Sequence, residues 1–317
     1  MKNVLITGGT GFLGAHLANK IKSDVDNIVI TTLNIKQKNT FKALNIETDN
    51  INLIKGDIRD FNFIKLLFNE YEFDTVFHLA AVSEVRKCQI NSKLAFDTNV
   101  LGTINILEAC KIYNVESVVV STSDKAYGSG KLPYNENDAL SGDSIYEVSK
   151  SCADLISLSY YKNYNLPVCV LRCCNLYGPH DINISRIIPN TINKILKGES
   201  PVIWKGSETS IREFLYIDDA VDAFLVAANK IDKSKGKAFN VGSGEKISII
   251  DLVNKIINKI NSNVDIVYKN KSFPEIKNQY LCFKKIKKTL NWKPTFDLEK
   301  GLNETIQVIR NASTLET

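Results

Sequence analysis

Short apolar runs alternate with segments of helical period through the first half of the chain. Runs such as K-N-V-L-I-T, N-I-V-I-T-T and V-E-S-V-V-V are separated by segments such as H-L-A-N-K-I-K and F-I-K-L-L-F. Strands that alternate with helices are typical of βαβ units, and uninterrupted apolar strands indicate that helices cover both faces of the sheet. The pattern therefore predicts an α/β fold with a doubly wound parallel sheet.

The pattern changes after the Gly-Pro pair at 178–179. Proline, glycine and polar residues separate shorter elements there, and one more apolar run, A-F-N-V-G-S-G, occurs near residue 240. We predict a nucleotide-binding sheet domain at residues 1–178 and a smaller C-terminal α/β lobe at 179–317. The strand near 237–242 is expected to return to the main sheet.

Composition argues against two classes of partner. The net charge of +5 is spread through lysine-rich stretches such as Lys284–Lys288, and no basic stripe interleaved with aromatic residues suggests nucleic acid. The excess of positive charge favours a basic pocket for an anionic small molecule. No apolar run approaches the roughly 20 residues that span a bilayer, so no membrane partner is expected.

The cysteines indicate a cellular compartment, and the histidines indicate whether the chain binds a metal. The seven cysteines show no repeated spacing, and the first residues pass directly into a strand and a glycine loop without room for a leader. We therefore expect reduced thiols and a cytoplasmic location. The three histidines are scattered along the chain, so no metal is expected.

A glycine-rich loop links the first strand to the first helix. It reads T-G-G-T-G-F-L-G at residues 7–14. Such glycines let a pyrophosphate approach the backbone, and the helix N-terminus supplies free amides and partial positive charge. A simple turn is the alternative, but the place between strand and helix favours dinucleotide binding by a Rossmann-type domain. The candidate residues are Gly8, Gly11, Phe12, Leu13 and Gly14.

A second candidate pair, Tyr146 and Lys150, lies on a predicted helix that begins near Ser144. Residues four apart share one helix face. The usual tyrosine pKa near 10 makes the phenol a poor base, and a neighbouring cation would favour the phenolate. The pair follows a strand that ends in S-T-S at 121–123. This placement favours acid–base catalysis at a hydroxyl group over an ordinary helix surface.

With these motifs and the segments G-D-I-R-D at 56–60 and H-L-A-A at 78–81, the chain resembles the extended short-chain dehydrogenase/reductases. This is the family of NAD(P)-dependent nucleotide-sugar epimerases and dehydratases, and the resemblance covers essentially the whole chain. It implies a nucleotide-diphosphate sugar as substrate and a homodimer formed through the helices near residues 100 and 150.

The resemblance also implies roles for individual residues. Ser123 bonds the reacting hydroxyl, Tyr146 is the acid and base, and Lys150 tunes Tyr146 while binding the nicotinamide ribose. Further implied cofactor contacts are Asp57 and Ile58 at the adenine, Ala80 and Ala81 on the route to the nicotinamide, and Leu79 and Asn99. The implied substrate contacts are Ser83, Asn175 and Arg212.

One departure concerns the choice of cofactor. Thr32 stands about where an NAD-specific member carries an acid that binds the adenosine ribose. Asn34, Lys36 and Lys38 follow it, and these lysines could attract a 2′-phosphate or simply be solvated. Thr32 is therefore a candidate cofactor contact. NAD and NADP both stay open, with the family favouring NAD.

Two motifs of the C-terminal half resemble the family's substrate-binding segments. R-C-C-N-L-Y-G-P at 172–179 carries Asn175, and R-E-F-L-Y-I-D-D at 212–219 carries Arg212. The family pairs this arginine with the diphosphate, a contact that suits a guanidinium. The alternative for Arg212 is an ion pair with Glu213 or Asp218.

The family's R-P-G-D segment is replaced by S-F-P-E at 272–275, with only Lys271 close by. In relatives, the arginine of this segment contacts the second phosphate. Without it, we expect phosphate contacts or nucleotide choice to differ from those of the best-known members.

The pair that follows Ser123 indicates the reaction. In the family, 4-epimerases commonly carry small neutral residues after this serine, whereas a dehydratase branch has Asp-Lys, as at Asp124 and Lys125. A lysine beside an apolar pocket would become a usable base at C5 of the sugar, and the acid would protonate the departing C6 oxygen. We predict a 4,6-dehydratase. A 4-epimerase, a C4 dehydrogenase and a non-enzymatic cofactor-binding regulatory protein are the alternatives.

Overall fold

A seven-stranded parallel sheet forms the centre of the computed structural model, which describes residues 1–37, 39–47, 49–270 and 276–315. The predicted fold class is confirmed. In chain order, the strands of this sheet are β1 (Asn3–Thr7), β2 (Asn27–Thr32), β3 (Ile51–Lys55), β4 (Thr75–His78), β5 (Ser117–Ser123), β6 (Val168–Cys173) and β10 (Ala238–Val241). Their spatial order is β10-β6-β5-β4-β1-β2-β3.

Two smaller sheets stand beside the main one. The first has the order β11-β9-β7 and the second pairs β12 with β8. Their strands are β7 (Asn175–Tyr177), β8 (Val202–Trp204), β9 (Ile211–Tyr216), β11 (Lys246–Ser248) and β12 (Val267–Lys269). The division at residue 178 that the sequence predicts falls just after β7 and stays a prediction, whereas β10 lies in the main sheet, next to β6.

Helices flank all three sheets. They are α1 (Phe12–Ile21), α2 (Thr40–Ala43), α3 (Phe61–Tyr71), α4 (Val85–Ile90), α5 (Ser92–Phe96), α6 (Gly102–Ile112), α7 (Ile145–Tyr164), α8 (Ile187–Leu196), α9 (Ile217–Asn229), α10 (Ile231–Ser234), α11 (Ile249–Ile260), α12 (Lys284–Leu290) and α13 (Leu298–Leu315). A π-helical segment, Asp97–Leu101, leads into α6, and a 3₁₀ turn, Asp124–Tyr127, follows β5. Among the described residues, none of the helices has both the length and the apolar character needed to cross a membrane.

Both faces of the main sheet are buried, as its uninterrupted apolar strands indicate. Along β1, Val4 and Ile6 belong to one apolar core, whereas Leu5 belongs to a second core on the other face. Successive side chains of a strand point to opposite faces, so each face is covered by its own set of helices.

The start of α7 is fixed by a capping box. The Ser144 side chain accepts a hydrogen bond from the backbone amide of Glu147, and the Glu147 carboxylate accepts one from the Ser144 amide. This reciprocal arrangement satisfies amides that an uncapped helix would leave open. The predicted helix is confirmed, and its first turn carries Tyr146 against the end of β5.

Candidate active site

A single cleft of about 1040 Å³ runs along the C-terminal edge of the main sheet. In open parallel sheets this edge, near the point where the strand order reverses, is where ligands bind. The sequence-predicted site residues that line the cleft are Gly8, Gly11, Phe12, Leu13, Gly14, Thr32, Asp57, Ile58, Leu79, Ala80, Ala81, Ser83, Ser123, Asp124, Lys125, Tyr146, Lys150, Asn175 and Arg212. The structure thus brings together residues from most of the chain.

The loop after β1 leaves no room for side chains at two of its glycines. A Cβ on Gly8, whose φ is +68°, would lie 2.8 Å from the Cα of Ala80, and one on Gly14 would lie 2.6 Å from the Cα of Gly9. Helix α1 begins at Phe12 without a side-chain cap, so its first amides are available to an anion. These features fit the pyrophosphate of a dinucleotide.

The end of β2 presents hydroxyl groups where many dinucleotide sites present an acid. The Thr32 hydroxyl lies 3.0 Å from the Thr10 hydroxyl, and the Thr31 Oγ1 is buried without a hydrogen-bond partner. A buried hydroxyl without a partner is costly unless a ligand satisfies it. Lys38 lies outside the described residues, and the backbone carbonyl of Lys36 accepts a bond from Lys42 at 2.9 Å.

Asp57, the predicted adenine contact, is held by the guanidinium of Arg59. The Nε of Arg59 donates to both Asp57 carboxylate oxygens, at 3.0 and 2.9 Å, and a second guanidinium nitrogen bonds the same group. This guanidinium lowers the pKa of Asp57 below its usual value. Next to it, the Ile58 carbonyl accepts a bond from Asn105 at 2.9 Å, so both predicted adenine residues are held in fixed positions.

Asn99 lies behind the cleft wall rather than in it. Its Oδ1 accepts from the Val82 amide at 2.7 Å, and its Nδ2 donates to the Ser149 hydroxyl at 2.9 Å. That hydroxyl in turn donates to the Tyr146 carbonyl at 2.7 Å. The side chain is committed to these contacts, so any contribution of Asn99 to cofactor binding would act through the Val82 segment and α7.

Ser123, Tyr146 and Lys150 meet at the end of β5, as the sequence predicts. Ser123 is the last residue of the strand, and its side chain lies beside that of Tyr146. Lys150 lies one turn further along α7 and donates to the Ser121 carbonyl at 3.1 Å. All three side chains are buried.

Burial dominates the electrostatics of this group. It raises the pKa of Tyr146 well above the usual value, and the polar side chain of Ser123 and the charge of Arg186 lower this pKa only in part. It also lowers the pKa of Lys150 to about 8. Desolvation therefore outweighs the neighbouring charges at Tyr146. Stabilisation of the phenolate by Lys150 together with the positive nicotinamide ring stays a prediction.

Asp124 follows directly and is almost completely buried. Its Oδ1 accepts a bond from the Ser123 hydroxyl at 2.9 Å, whereas its Oδ2 has no hydrogen-bond partner. A buried carboxyl oxygen without a partner, in the wall of a cleft, is placed to bond a ligand.

The ammonium of Lys125 has two polar neighbours, which the expectation of an apolar pocket does not include. Its Nζ lies 3.5 Å from the Asn175 Oδ1 and 3.2 Å from the Gln279 Oε1. The side chain is half-buried and faces the same cleft as Asp124. Both members of the Asp-Lys pair therefore line one cavity, although two adjacent residues of a turn often point apart.

The predicted substrate side of the cleft is formed by β7 and β9. Asn175 starts β7, and its Nδ2 donates to the Glu213 carbonyl at 3.1 Å. Arg212, on β9, donates to the backbone carbonyls of Ile276 and Lys277 at 2.7 and 2.8 Å. The S-F-P-E segment at 272–275 and Lys271 lie outside the described residues.

Sequence reasoning missed two polar residues of the cleft. Gln279 is buried beside Lys125. Arg186 lies with its guanidinium 5.4 Å from the centre of the Phe12 ring and pairs with Asp181 at 3.0 Å. Neither belongs to a spaced motif, so no local signal in the sequence could have identified them.

A buried ion pair joins β6 to α7. Arg172, from the R-C-C-N motif, donates to both carboxylate oxygens of Asp154 at 2.7 and 2.8 Å. Replacing Asp154 with asparagine would leave a buried guanidinium without its counter-charge. We expect the free energy of unfolding, measured in urea, to fall by about 3–5 kcal/mol.

A matched control for this loss of stability is Asp232→Asn, which breaks an exposed pair with Lys235. Exposed pairs contribute little, so the control should keep nearly the wild-type unfolding midpoint. Equal midpoints for Asp154→Asn and wild type would show that the buried pair does not stabilise the fold.

In the part of the chain that the structure describes, no cluster of histidine, cysteine, aspartate or glutamate could hold a metal ion.

Comparison with known proteins agrees with this geometry. The GDP-mannose 4,6-dehydratase family model matches residues 5–305. Human dTDP-D-glucose 4,6-dehydratase is 30% identical over 98% of this chain and 90% of its own. The UDP-glucose 4-epimerase of Thermotoga maritima, solved with UDP-glucose, has a TM-score of 0.91 at 26% identity, covering 98% and 99% of the two chains. The dTDP-glucose 4,6-dehydratase of Bacillus anthracis, solved with NAD, has a TM-score of 0.88 at 27% identity, covering 99% and 98%.

Proposed function

Because the chain belongs to the GDP-mannose 4,6-dehydratase family of NAD(P)-dependent nucleotide-sugar enzymes, we propose that it is a nucleotide-sugar 4,6-dehydratase. The observation that carries the proposal is the pair Asp124 and Lys125, which face one cleft beside Ser123. Elimination of water needs an acid and a base in addition to the groups that act at C4. Both are present at the place where the sugar would lie.

The first group of residues acts at the C4 hydroxyl. Tyr146 is placed to take the hydroxyl proton, and Ser123 is placed to bond the hydroxyl oxygen. Lys150 places its positive charge next to both. When bound, the nicotinamide supplies the chemistry that these residues lack, accepting a hydride from the sugar and returning it later. The glycine loop, Thr32 and Asp57 are the groups that would hold the rest of the cofactor.

The second pair acts after C4 has become a ketone. The C5 proton is then acidic, and Lys125 as a neutral amine takes it. The electron pair forms the C5–C6 double bond as the C6–O bond breaks, and Asp124 gives its proton to the departing oxygen, so that water leaves. Lys125 ends protonated and Asp124 ends ionised. Lys125 becomes neutral when it returns its proton to C5, whereas Asp124 regains a proton from solvent and Tyr146 releases the C4 hydroxyl proton to solvent before the next cycle.

A 4-epimerase is the second candidate, because the T. maritima epimerase matches this chain as well as the dehydratases do. An epimerase needs only the groups at C4. In that case Asp124 and Lys125 would bind the sugar without exchanging protons with C5 or C6.

Incubation with a panel of GDP-, CDP-, UDP- and dTDP-sugars, followed by mass spectrometry, separates the candidates. Loss of the mass of one water supports the dehydratase. An unchanged mass with altered sugar stereochemistry indicates an epimerase, and loss of two hydrogens indicates a C4 dehydrogenase. Tight cofactor binding without turnover on any member would support the regulatory alternative.

Cofactor choice should respond to Thr32. We propose that the chain binds NAD, as the B. anthracis enzyme does, and that NADP is tolerated because β2 ends in hydroxyls. In Thr32→Asp, a carboxylate would face the 2′-phosphate, and calorimetry should show NADP binding weakened about 10- to 100-fold with NAD binding kept. The conservative control is Thr32→Ser. NADP affinity in Thr32→Asp equal to that of wild type would place Thr32 away from the ribose.

We also propose a homodimer in the cytoplasm. Leu101 and Leu155, near the helices that the resemblance implies for dimerisation, are 44% and 59% exposed, which a partner copy would cover. All seven cysteines are free thiols in the structure, a state that fits a reducing compartment.

A further inference from the structure

A short segment of extended chain, residues 276–282, crosses the substrate side of the cleft. It is held by backbone bonds at its middle and at its C-terminal end. The Gln279 amide donates to the Ile211 carbonyl at 3.0 Å, and the Cys282 amide donates to the Tyr134 carbonyl at 2.9 Å. The position of Gln279 is therefore fixed relative to β9 and to the loop before α7.

The Gln279 side chain is completely buried, and its two polar atoms are in different situations. Its Oε1 accepts the Lys125 ammonium at 3.2 Å, whereas its Nε2 is buried without a partner. An ammonium can only donate, so it fixes the orientation of the carboxamide and turns the amide hydrogens away from Lys125. A buried amide N–H group without a partner in the wall of a cleft indicates a ligand whose oxygen accepts a hydrogen bond there.

Asn175 completes a frame around the lysine. Its Nδ2 is engaged by the Glu213 carbonyl, so its Oδ1 must point toward Lys125. The ammonium is thus held between two carboxamide oxygens, one from β7 and one from the 276–282 segment. Neither oxygen carries a formal charge, so the amine can lose its proton without leaving a buried anion beside it.

We propose that Gln279 is a positioning residue that holds the Lys125 amine toward the sugar and donates its second group to a sugar hydroxyl. The inference rests on the proposed dehydratase function and goes beyond it by assigning a residue outside the Ser123–Lys125 stretch. A hydroxyl group is the chemistry that fits, because it can accept from the Gln279 Nε2 and can donate to the Asp124 Oδ2, which are both buried without partners in residues that line this cleft.

Two variants that should shift the pH midpoint of water loss in opposite directions test the inference. Gln279→Glu places a carboxylate beside Lys125, which should raise the pH midpoint of water loss by about one unit. Gln279→Met removes the acceptor, which should lower that midpoint and reduce the kcat of water loss roughly ten- to a hundredfold by misplacing the amine. Loss of the bond to the sugar hydroxyl should raise the KM for the sugar in both variants, whereas the rate of C4 oxidation at saturating sugar should fall much less than the rate of water loss.

The control is Gln307→Met, an exposed glutamine on α13, which should leave rates and midpoint unchanged. A merely structural role for Gln279 would change stability but not move the midpoint in opposite directions. If only one variant folds, the inference is supported when its pH midpoint shifts in the expected direction and overturned when it shifts in the other. A wild-type midpoint in a folded variant overturns the inference while wild-type water loss still supports the dehydratase. Absence of water loss from wild type on the sugar panel overturns both.

Discussion

Replacing Tyr146 with phenylalanine is expected to lower the rate of C4 oxidation about 100- to 10 000-fold, the contribution that acid–base catalysis typically makes. The substitution removes only the hydroxyl that lies beside Ser123. The ring stays in its small apolar cluster with Cys88 and Ala95, so the fold should be kept. The rate is measured in single turnover from the near-ultraviolet absorbance of reduced nicotinamide.

Two controls belong to this experiment. Tyr164→Phe changes an exposed tyrosine on the same helix and should leave the rate unchanged. Cofactor affinity, measured by calorimetry, should be similar in Tyr146→Phe and wild type. If Tyr146→Phe oxidises the sugar at the wild-type rate, another group must take the proton, and the assigned triad is wrong.

Replacing Lys125 with methionine should separate the two halves of the reaction. Methionine fills a similar volume but cannot accept the C5 proton, so water loss should fall about 100- to 10 000-fold. The groups at C4 are untouched, so C4 oxidation should continue at close to the wild-type rate. Mass spectrometry would then show a product that lacks two hydrogens, or unchanged substrate with transient nicotinamide reduction, instead of loss of water.

The matched control for Lys125→Met is Lys131→Met, an exposed lysine a few residues further on, which should dehydrate normally. Water loss at the wild-type rate in Lys125→Met would remove Lys125 as the base. Loss of both half-reactions together would show instead that Lys125 binds the sugar without taking the C5 proton.

Much of the site could be predicted because its parts are local in the chain. The glycine loop is fixed by the turn from β1 into α1, and Tyr146 and Lys150 share one face of α7 by helical period alone. The uninterrupted apolar strands likewise indicated the doubly covered sheet. These features follow from contacts between residues that lie close together in sequence.

What could not be predicted depends on contacts across the chain. Lys125 meets Gln279, which is 154 positions away, so nothing in the local sequence indicates this polar contact. The resemblance implies a cofactor contact for Asn99, which stays a prediction, and its side-chain bonds to Val82 and Ser149 are not indicated by the sequence. Such pairings are decided by tertiary packing, which neither spacing nor composition records.

The edge position of β10 bears on how the protein is made. The amides of Val170 and Cys174 donate to the carbonyls of Lys237 and Val241, at 3.0 and 3.2 Å. Until Val241 emerges from the ribosome, β6 has no neighbour on that side, and an open strand edge is prone to pair with other chains. A fragment that stops at residue 178 would keep that edge permanently. Translation of the C-terminal lobe is thus also the step that closes the nucleotide-binding sheet.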